Sequence, residues 1–248
     1  MFIPLFDFEE RDRWEDRRGM IPKLFTPVMT LVIVICVLVF IYQTFFVRND
    51  AMFYREWGAI PYELLKSIRE GEFIYFNLIT YAFVHGGFFH LLGNMWFFFI
   101  FGNNVERRLG SFIFILFYLS SAIISALIHM VVLFPEEMLG MKRFESISPV
   151  GEMAIPLVGA SGAVSAVLGA YMKYFPRNYV ATLIVFFIIT VIPISASIFI
   201  GVWLVGQIAN AVFNPQASIA WFAHLGGFAY GYLFASIYKG KREYYYES

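Results

Sequence analysis

Long apolar stretches follow one another along most of this chain. The stretch 25–47 contains no charged residue, and about 20 apolar residues are enough for a helix to cross the hydrocarbon core of a bilayer. Further apolar stretches recur up to residue 238. The pattern predicts an all-α polytopic membrane protein with six transmembrane helices, near residues 25–47, 88–104, 111–133, 158–175, 180–200 and 219–238.

The predicted spans differ in character. The second and fourth are short and contain Gly, Ser, His and Asn among their apolar residues, which is typical of helices enclosed by other helices. The stretch 180–213 is too long for one upright helix, and we expect Pro193 to break it and part of it to lie on the outer side. One membrane domain, 25–238, is predicted between an N-terminal segment, 1–24, and a tail, 239–248.

Composition supports the membrane class and excludes several others. Hydrophobic residues make up 60% of the chain and charged residues 15%, whereas an average soluble domain is nearer ~50% and ~25%. The formal net charge is zero and there is no basic tract, so nucleic acid is not an expected partner. Cys36 is the only cysteine, which excludes an intramolecular disulfide and a cysteine-based metal site.

The basic residues predict the orientation. Six spans place both ends on one side, and that side holds twelve of the 18 Lys and Arg residues. Basic residues accumulate on the cytoplasmic side, so we expect cytoplasmic termini. Loops 48–87 and 134–157 then face outward, and the aromatic residues of the first predict that it lies in the membrane interface. The first span is too long for a signal-peptide core and is expected to be retained.

Four polar side chains lie inside predicted spans, where each needs a physical reason. His90 and Asn94 are in the second span, Ser161 in the fourth and His224 in the sixth. These three spans all enter the membrane from the outer side, and at ~1.5 Å per helical residue His90, Ser161 and His224 lie at a similar shallow depth. His90 and Asn94 are four residues apart and share a helix face.

Small residues line one face of the fourth span and one face of the sixth, and such stripes let helices approach closely in a membrane. The stripes are Ser161, Ser165 and Gly169, and Ala223, Gly227, Gly231 and Ala235. If they face each other, Ser161 and His224 meet near their outer ends as a nucleophile beside a base. No Asp or Glu is predicted at this depth, so the sequence indicates a dyad without a third carboxylate.

The Gly-Ala-Ser-Gly turn at 159–162 opens the fourth helix. Backbone N–H groups in the first turn of a helix have no intrahelical partner, so those near Ser161 can stabilise a developing oxyanion. His90 and Asn94 are candidate side-chain donors to the same charge. Hydrolysis of an amide also needs water, so we expect the site to open to the outer face.

These residues resemble the motifs of the rhomboid family over roughly residues 25–238. Gly-Ala-Ser-Gly at 159–162, with Gly-Ala-Tyr at 169–171, resembles the nucleophile motif. Ala-His-Leu-Gly-Gly at 223–227, with Gly231, resembles the motif around the catalytic histidine. His85, His90 and Asn94, followed by the segment 102–110, resemble the second helix and its exit. The order and the orientation also match the six-helix rhomboid core.

The resemblance implies an intramembrane serine endopeptidase that cuts transmembrane segments of protein substrates near the outer surface. It implies Ser161 as nucleophile, His224 as general base, and His90, Asn94 and the Ser161 N–H as the oxyanion site. His85 would be structural, and the fifth helix would border substrate entry. Where some rhomboids have a tyrosine packed on the histidine ring, this chain has Ser165, which leaves Trp203 and Trp221 as possible supports for His224.

Other functions fit the sequence less well. A transporter is disfavoured because the chain has no repeated halves, and a metalloprotease because it has no His-Glu-x-x-His motif. We therefore expect no metal and no cofactor, with the lipid bilayer and transmembrane substrates as partners. The nearest alternative is a catalytically inactive rhomboid relative that binds membrane clients. Because no organelle signal is visible, a prokaryotic cell (inner) membrane is the expected location.

Overall fold

The computed structural model describes residues 2–8, 25–71, 75–142, 151–185, 189–214 and 220–240. Most of these residues are helical, and two short 3-10 turns occupy Tyr81–Phe83 and Gly151–Ala154. The α-helices are α1 (Pro27–Phe46), α2 (Asp50–Trp57), α3 (Pro61–Glu70), α4 (Asn77–Thr80), α5 (Phe88–Leu109), α6 (Ser111–Leu133), α7 (Pro135–Met138), α8 (Ser161–Tyr174), α9 (Ala196–Phe213) and α10 (Trp221–Ile237). The strands are β1 (Phe2–Phe8), β2 (Tyr179–Val185) and β3 (Ile189–Ser195). Most of the predicted N-terminal segment and tail, 9–24 and 241–248, lies outside the described residues.

Three of the helices, α1, α6 and α9, are long and apolar enough to cross a membrane by themselves. The segment 77–109 adds a fourth candidate if its two helices, which meet at 96°, are counted as one span. The helices α8 and α10 have only 14 and 17 residues, fewer than the about 20 that a lipid-exposed span needs. The chain is therefore an integral membrane protein in which short helices are combined with full-length ones.

Five of the six predicted spans coincide with a helix, namely α1, α5, α6, α8 and α10. The prediction for the fifth span, 180–200, is wrong over most of its length, because β2 and β3 form an antiparallel hairpin there and α9 begins only at Ala196. The hairpin begins and ends at the C-terminal end of α8, opposite Ser161, where Ala196 N donates to Asn178 O at 2.7 Å. The expectation that part of this segment lies on the outer side stays a prediction.

The hairpin has a local cause in its sequence. β2 and β3 are rich in Val, Ile and Thr, which favour extended backbone because of their branched β-carbons. A continuous apolar run does not reveal by its periodicity whether it is helix or strand. Pro193 lies on β3 and pairs with Ala181 of β2. The strand β3 is at the edge of the sheet, where the missing N–H of proline is tolerated.

The N-terminal strand completes this sheet and corrects the all-α prediction. β1 pairs antiparallel with β2, from Phe2 opposite Ile184 to Phe8 opposite Tyr179. Side chains of the helical bundle hold β1 in place. Trp96 Nε1 donates to Pro4 O at 2.7 Å, and the Asp7 carboxyl accepts hydrogen bonds from Asn104 Nδ2 and Tyr171 OH.

A buried carboxyl group fastens α1 to α5 at the end of the bundle opposite Ser161. Glu106, in the last turn of α5, is 1% exposed. It accepts hydrogen bonds from Val28 N at 3.0 Å, Met29 N at 2.7 Å and Ser111 Oγ at 2.6 Å. The helix α1 has no side-chain cap of its own, so Glu106 satisfies two of the N–H groups that a helix start leaves unpaired.

Replacing Glu106 with Ala should lower the free energy of unfolding by about 2–4 kcal/mol, because buried donors then lack an acceptor. Glu106→Gln should cost less, since one acceptor oxygen remains. The measurement is the unfolding midpoint in detergent micelles. Glu136→Ala is the matched control, because Glu136 pairs with Lys142 at 2.9 Å on the surface and exposed ion pairs contribute little. Equal midpoints for the Glu106 and Glu136 variants would contradict this role.

Candidate active site

The helix α8, which begins at Ser161, lies at the centre of the bundle. Every residue from 162 to 171 is buried, and α8 packs against α5, α6, α9 and α10. Its 14 residues extend only ~21 Å at ~1.5 Å per residue, less than the ~30 Å hydrocarbon core of a bilayer. Ser161, the first residue of α8, is only partly buried, in contrast to the ten residues that follow it.

Glycines bring α8 and α10 into direct backbone contact. A β-carbon on Gly227 would overlap the carbonyl oxygen of Gly162, and one on Gly231 would overlap that of Ala166. On the other helix, a β-carbon on Gly169 would overlap the carbonyl oxygen of Phe228. The predicted close approach of the fourth and sixth spans is therefore confirmed. The face of α8 that contacts α10 contains Gly162, Ala166 and Gly169. The predicted contact residues Ser161 and Ser165 each lie one position before Gly162 and Ala166.

The register of this contact places His224 near Ser161. Gly162 lies against Gly227 and Ala166 against Gly231, so the two helices run parallel and keep the same residue offset. One turn before Gly227 is His224, in the first turn of α10, and directly before Gly162 is Ser161, the first residue of α8. Both side chains therefore belong to the same end of the helix pair. Among the described residues, no hydrogen bond joins Ser161 to His224.

The imidazole of His224 is held by α9 and by two indole rings. Its Nδ1 atom lies 2.6 Å from Gln207 Oε1. The Trp203 ring centroid is 6.4 Å from that of His224, and the Trp221 ring stands edge-on to it at 6.0 Å. Ser165 makes a different contact, since its hydroxyl donates to Ser161 O at 2.7 Å. Both tryptophans that the sequence offered as supports therefore pack near the His224 ring.

Sequence reasoning missed Gln207, although a signal for it was present. An amide side chain buried in apolar surroundings costs free energy unless it is hydrogen-bonded. Gln207 and Asn210 are the two amide residues of α9. Asn210 is satisfied within its own helix, with Nδ2 donating to Gly206 O at 2.8 Å, which leaves Gln207 as the one directed at another helix.

His90 lies against the turn that precedes Ser161. Gly159 has φ +119°, and a β-carbon there would lie 2.6 Å from His90 Cε1 and 2.7 Å from Nε2. Only glycine combines this backbone conformation with room for the ring. The side chain of His90 is exposed, so it is accessible from outside the bundle. The structure therefore brings His90 and the predicted nucleophile turn together.

Asn94 lies one turn deeper on the same face of α5. It is 8% exposed, and its Nδ2 donates to His90 O at 2.9 Å. An amide nitrogen carries two hydrogens, so one remains for another acceptor. No hydrogen bond joins Asn94 or His90 to Ser161 among the described residues. His85 packs edge-on to His90 with ring centroids 5.3 Å apart and is fully buried.

Backbone contacts fix the turn at 159–162. Gly159 N donates to Tyr81 O at 2.9 Å, and Tyr81 OH donates to Ala122 O on α6 at 2.7 Å. Leu157 and Ala59 form a small bridge between this segment and the loop 48–87. No side chain caps the start of α8, so the N–H groups of its first turn remain available to a bound anion or oxyanion.

Comparisons with known proteins identify the family of the chain. The family model of the Rhomboid domain matches residues 72–241, a range that includes Ser161, His224, His90 and Asn94. The chain is also 30% identical over 173 residues to RHOMBOID-like protein 12, mitochondrial, of Arabidopsis thaliana. That match covers 66% of this chain and 47% of the plant protein, so the chain spans about half the length of this relative. The predicted family resemblance is confirmed.

The contact between α8 and α10 leads to a testable prediction. Gly231→Ala should lower the unfolding free energy by about 1–3 kcal/mol, because the added methyl group forces the two backbones apart. The measurement is the unfolding midpoint in detergent micelles. Gly201→Ala is the matched control, because nothing lies within 4 Å of its β-carbon position and alanine favours helix. Similar behaviour of both variants would contradict a close-contact role for Gly231.

Proposed function

The chain belongs to the rhomboid family, and from that premise we propose that it is an intramembrane serine endopeptidase with Ser161 and His224 as a catalytic dyad. The substrates are transmembrane segments of other membrane proteins, cut in or next to the membrane near its outer face. The observation that carries the proposal is the register of α8 and α10, which gives Ser161 and His224 the same level in the bundle.

The geometry around the histidine supports its role as a base. Gln207 Oε1 lies at hydrogen-bond distance from His224 Nδ1, and an amide oxygen can only accept, so this hydrogen bond requires the proton on Nδ1. The other ring nitrogen, Nε2, then has a free lone pair. It can take the proton of the Ser161 hydroxyl as that oxygen attacks the substrate carbonyl carbon.

The reaction follows the general course of serine acyl transfer. Attack by Ser161 Oγ forms a tetrahedral intermediate whose oxyanion accepts hydrogen bonds from the Ser161 N–H, His90 and Asn94. Its collapse breaks the C–N bond, and protonated His224 gives its proton to the departing amine. Water, activated by His224, then hydrolyses the acyl-enzyme and restores the serine. Water entering from the outer face passes the exposed His90.

We propose the topology on the same basis. Six helices of 14 to 23 residues cross the membrane, with both termini in the cytoplasm as the distribution of basic residues predicts. The start of α8 then points to the outer face. The plant relative is named as mitochondrial, and the prokaryotic cell membrane stays a prediction for this chain.

The first experiment tests the dyad with a single-span substrate that carries small residues near its outer end, reconstituted in liposomes. Wild type should cleave it, whereas Ser161→Ala and His224→Ala should reduce the rate at least ~10⁴-fold. Ser236→Ala is the control, because this exposed hydroxyl bonds to Tyr232 O in the second half of α10. Cleavage by Ser161→Ala would rule out the serine mechanism. A folded wild type that binds the substrate without cleaving it or reacting with a fluorophosphonate would favour the inactive relative.

The oxyanion donors are tested separately. His90→Ala and Asn94→Ala should each lower kcat by about 10²–10³-fold with KM little changed, because their hydrogen bonds form only in the transition state. Asn210→Ala is the matched control, since its amide bonds within α9. The measurement is steady-state cleavage, with unfolding midpoints to show that each variant is folded. Folded variants with wild-type kcat would remove His90 or Asn94 from the oxyanion site.

A further inference from the structure

Gln207 is the polar side chain that connects α9 to the proposed base. It lies in the second half of α9, is half-buried, and its Oε1 atom is 2.6 Å from His224 Nδ1. The contact is partly buried, and two indole rings pack near the imidazole. A hydrogen bond in such surroundings is electrostatically stronger than in water, so this contact is able to fix the orientation of a ring.

The chemistry of the pair determines which histidine tautomer is present. A neutral imidazole carries its one proton on either Nδ1 or Nε2. Because the amide oxygen of Gln207 accepts and cannot donate, it selects the tautomer with the proton on Nδ1. A serine base needs this tautomer, since only an unprotonated Nε2 can receive a proton from Ser161. An uncharged amide also avoids the cost of placing a carboxylate within the membrane.

Two tryptophan rings limit how the imidazole can turn about this hydrogen bond. Trp203, one turn before Gln207 on α9, and Trp221, at the start of α10, both lie within 6.4 Å of the His224 ring, centroid to centroid. The hydrogen bond to Gln207 sets the tautomer of His224, and the two indole rings restrict the orientation of its imidazole plane.

We propose that Gln207 is a positioning residue, which holds His224 with its proton on Nδ1 and its Nε2 free to face Ser161. This inference rests on the proposed function, because it adds Gln207 as an uncharged third residue to the dyad of Ser161 and His224. Gln207 acts through His224 and need not touch the substrate.

The location of Gln207 on α9 has a mechanistic consequence. Only 22% of α9 is buried inside the bundle, so this helix is among the less enclosed ones. A second hydrogen bond, from Trp221 Nε1 to Asn214 O at 3.1 Å, ties the end of α9 to the start of α10. If α9 moves away from α10, His224 loses its acceptor. The orientation of the base therefore depends on the position of α9.

The kinetic test compares three variants in the liposome cleavage assay. Gln207→Met keeps the length of the side chain without a strong acceptor, and should lower kcat by about 10- to 100-fold, as expected for a hydrogen bond to a group that becomes charged. KM should change little. Gln207→Glu restores an acceptor oxygen and should recover most of the rate. Asn210→Leu, three residues along α9, should behave as wild type.

Two kinetic results would overturn the proposal. One is a Gln207→Met enzyme with the kcat of wild type. The other is an equal loss in Asn210→Leu, which would indicate a general effect on α9. Rescue by Gln207→Glu separates positioning from packing, because Met fills the same space as Gln without restoring the hydrogen bond.

A spectroscopic test reads the tautomer without any need for activity. The chain has four histidines, so ring-labelled ¹⁵N-histidine gives a small set of NMR signals, and the one missing in His224→Ala identifies His224. Wild type and Ser161→Ala should both carry the proton on Nδ1, and Gln207→Met should lose this preference. A proton on Nε2 in wild type would overturn the proposal. A Gln207-dependent tautomer in a wild type that cleaves nothing would support the hydrogen bond while rejecting the protease function.

Discussion

The backbone contact between α8 and α10 is the constraint on which the rest of the site depends. Lipid is as apolar as a leucine side chain, so hydrophobic burial does not drive two helices together inside a bilayer. Close packing supplies the attraction instead, and here it is possible because Gly227 and Gly231 bring α10 against the carbonyl groups of Gly162 and Ala166. At that distance the relative depth of the two helices is fixed, and with it the level of Ser161 and His224.

Polar groups inside this bundle are few, and several serve to hold others in place. Glu106 caps the start of α1, Tyr81 links the turn at 159–162 to α6, and Gln207 contacts His224. An unpaired polar group costs more in an apolar environment than at a soluble surface. Each such contact therefore determines a geometry more strictly than it would in water, and His224 receives its orientation from an uncharged amide on α9.

Much of the fold was readable from the sequence, and the failures have physical causes. The helices α1, α5, α6, α8 and α10 follow from apolar length and from the polar residues they carry. The prediction of a fifth transmembrane helix at 180–200 was wrong because a continuous run of β-branched residues has neither a helical nor a strand period. Its strands form because β1 supplies a partner from the far end of the chain, and no local pattern in residues 179–195 indicates that partner.

The sequence by itself determined the membrane class, the family and the helices that carry Ser161, His224, His90 and Asn94, since these follow from composition and local motifs. Only the tertiary structure decided which residues meet. It shifted the contact face of α8 from Ser161 and Ser165 to Gly162 and Ala166, and it set Gln207 against His224. The reason is that a motif specifies residues on one helix, whereas rotation and depth between helices result from all their contacts together. Which group a buried polar side chain contacts is therefore also decided only by the tertiary structure.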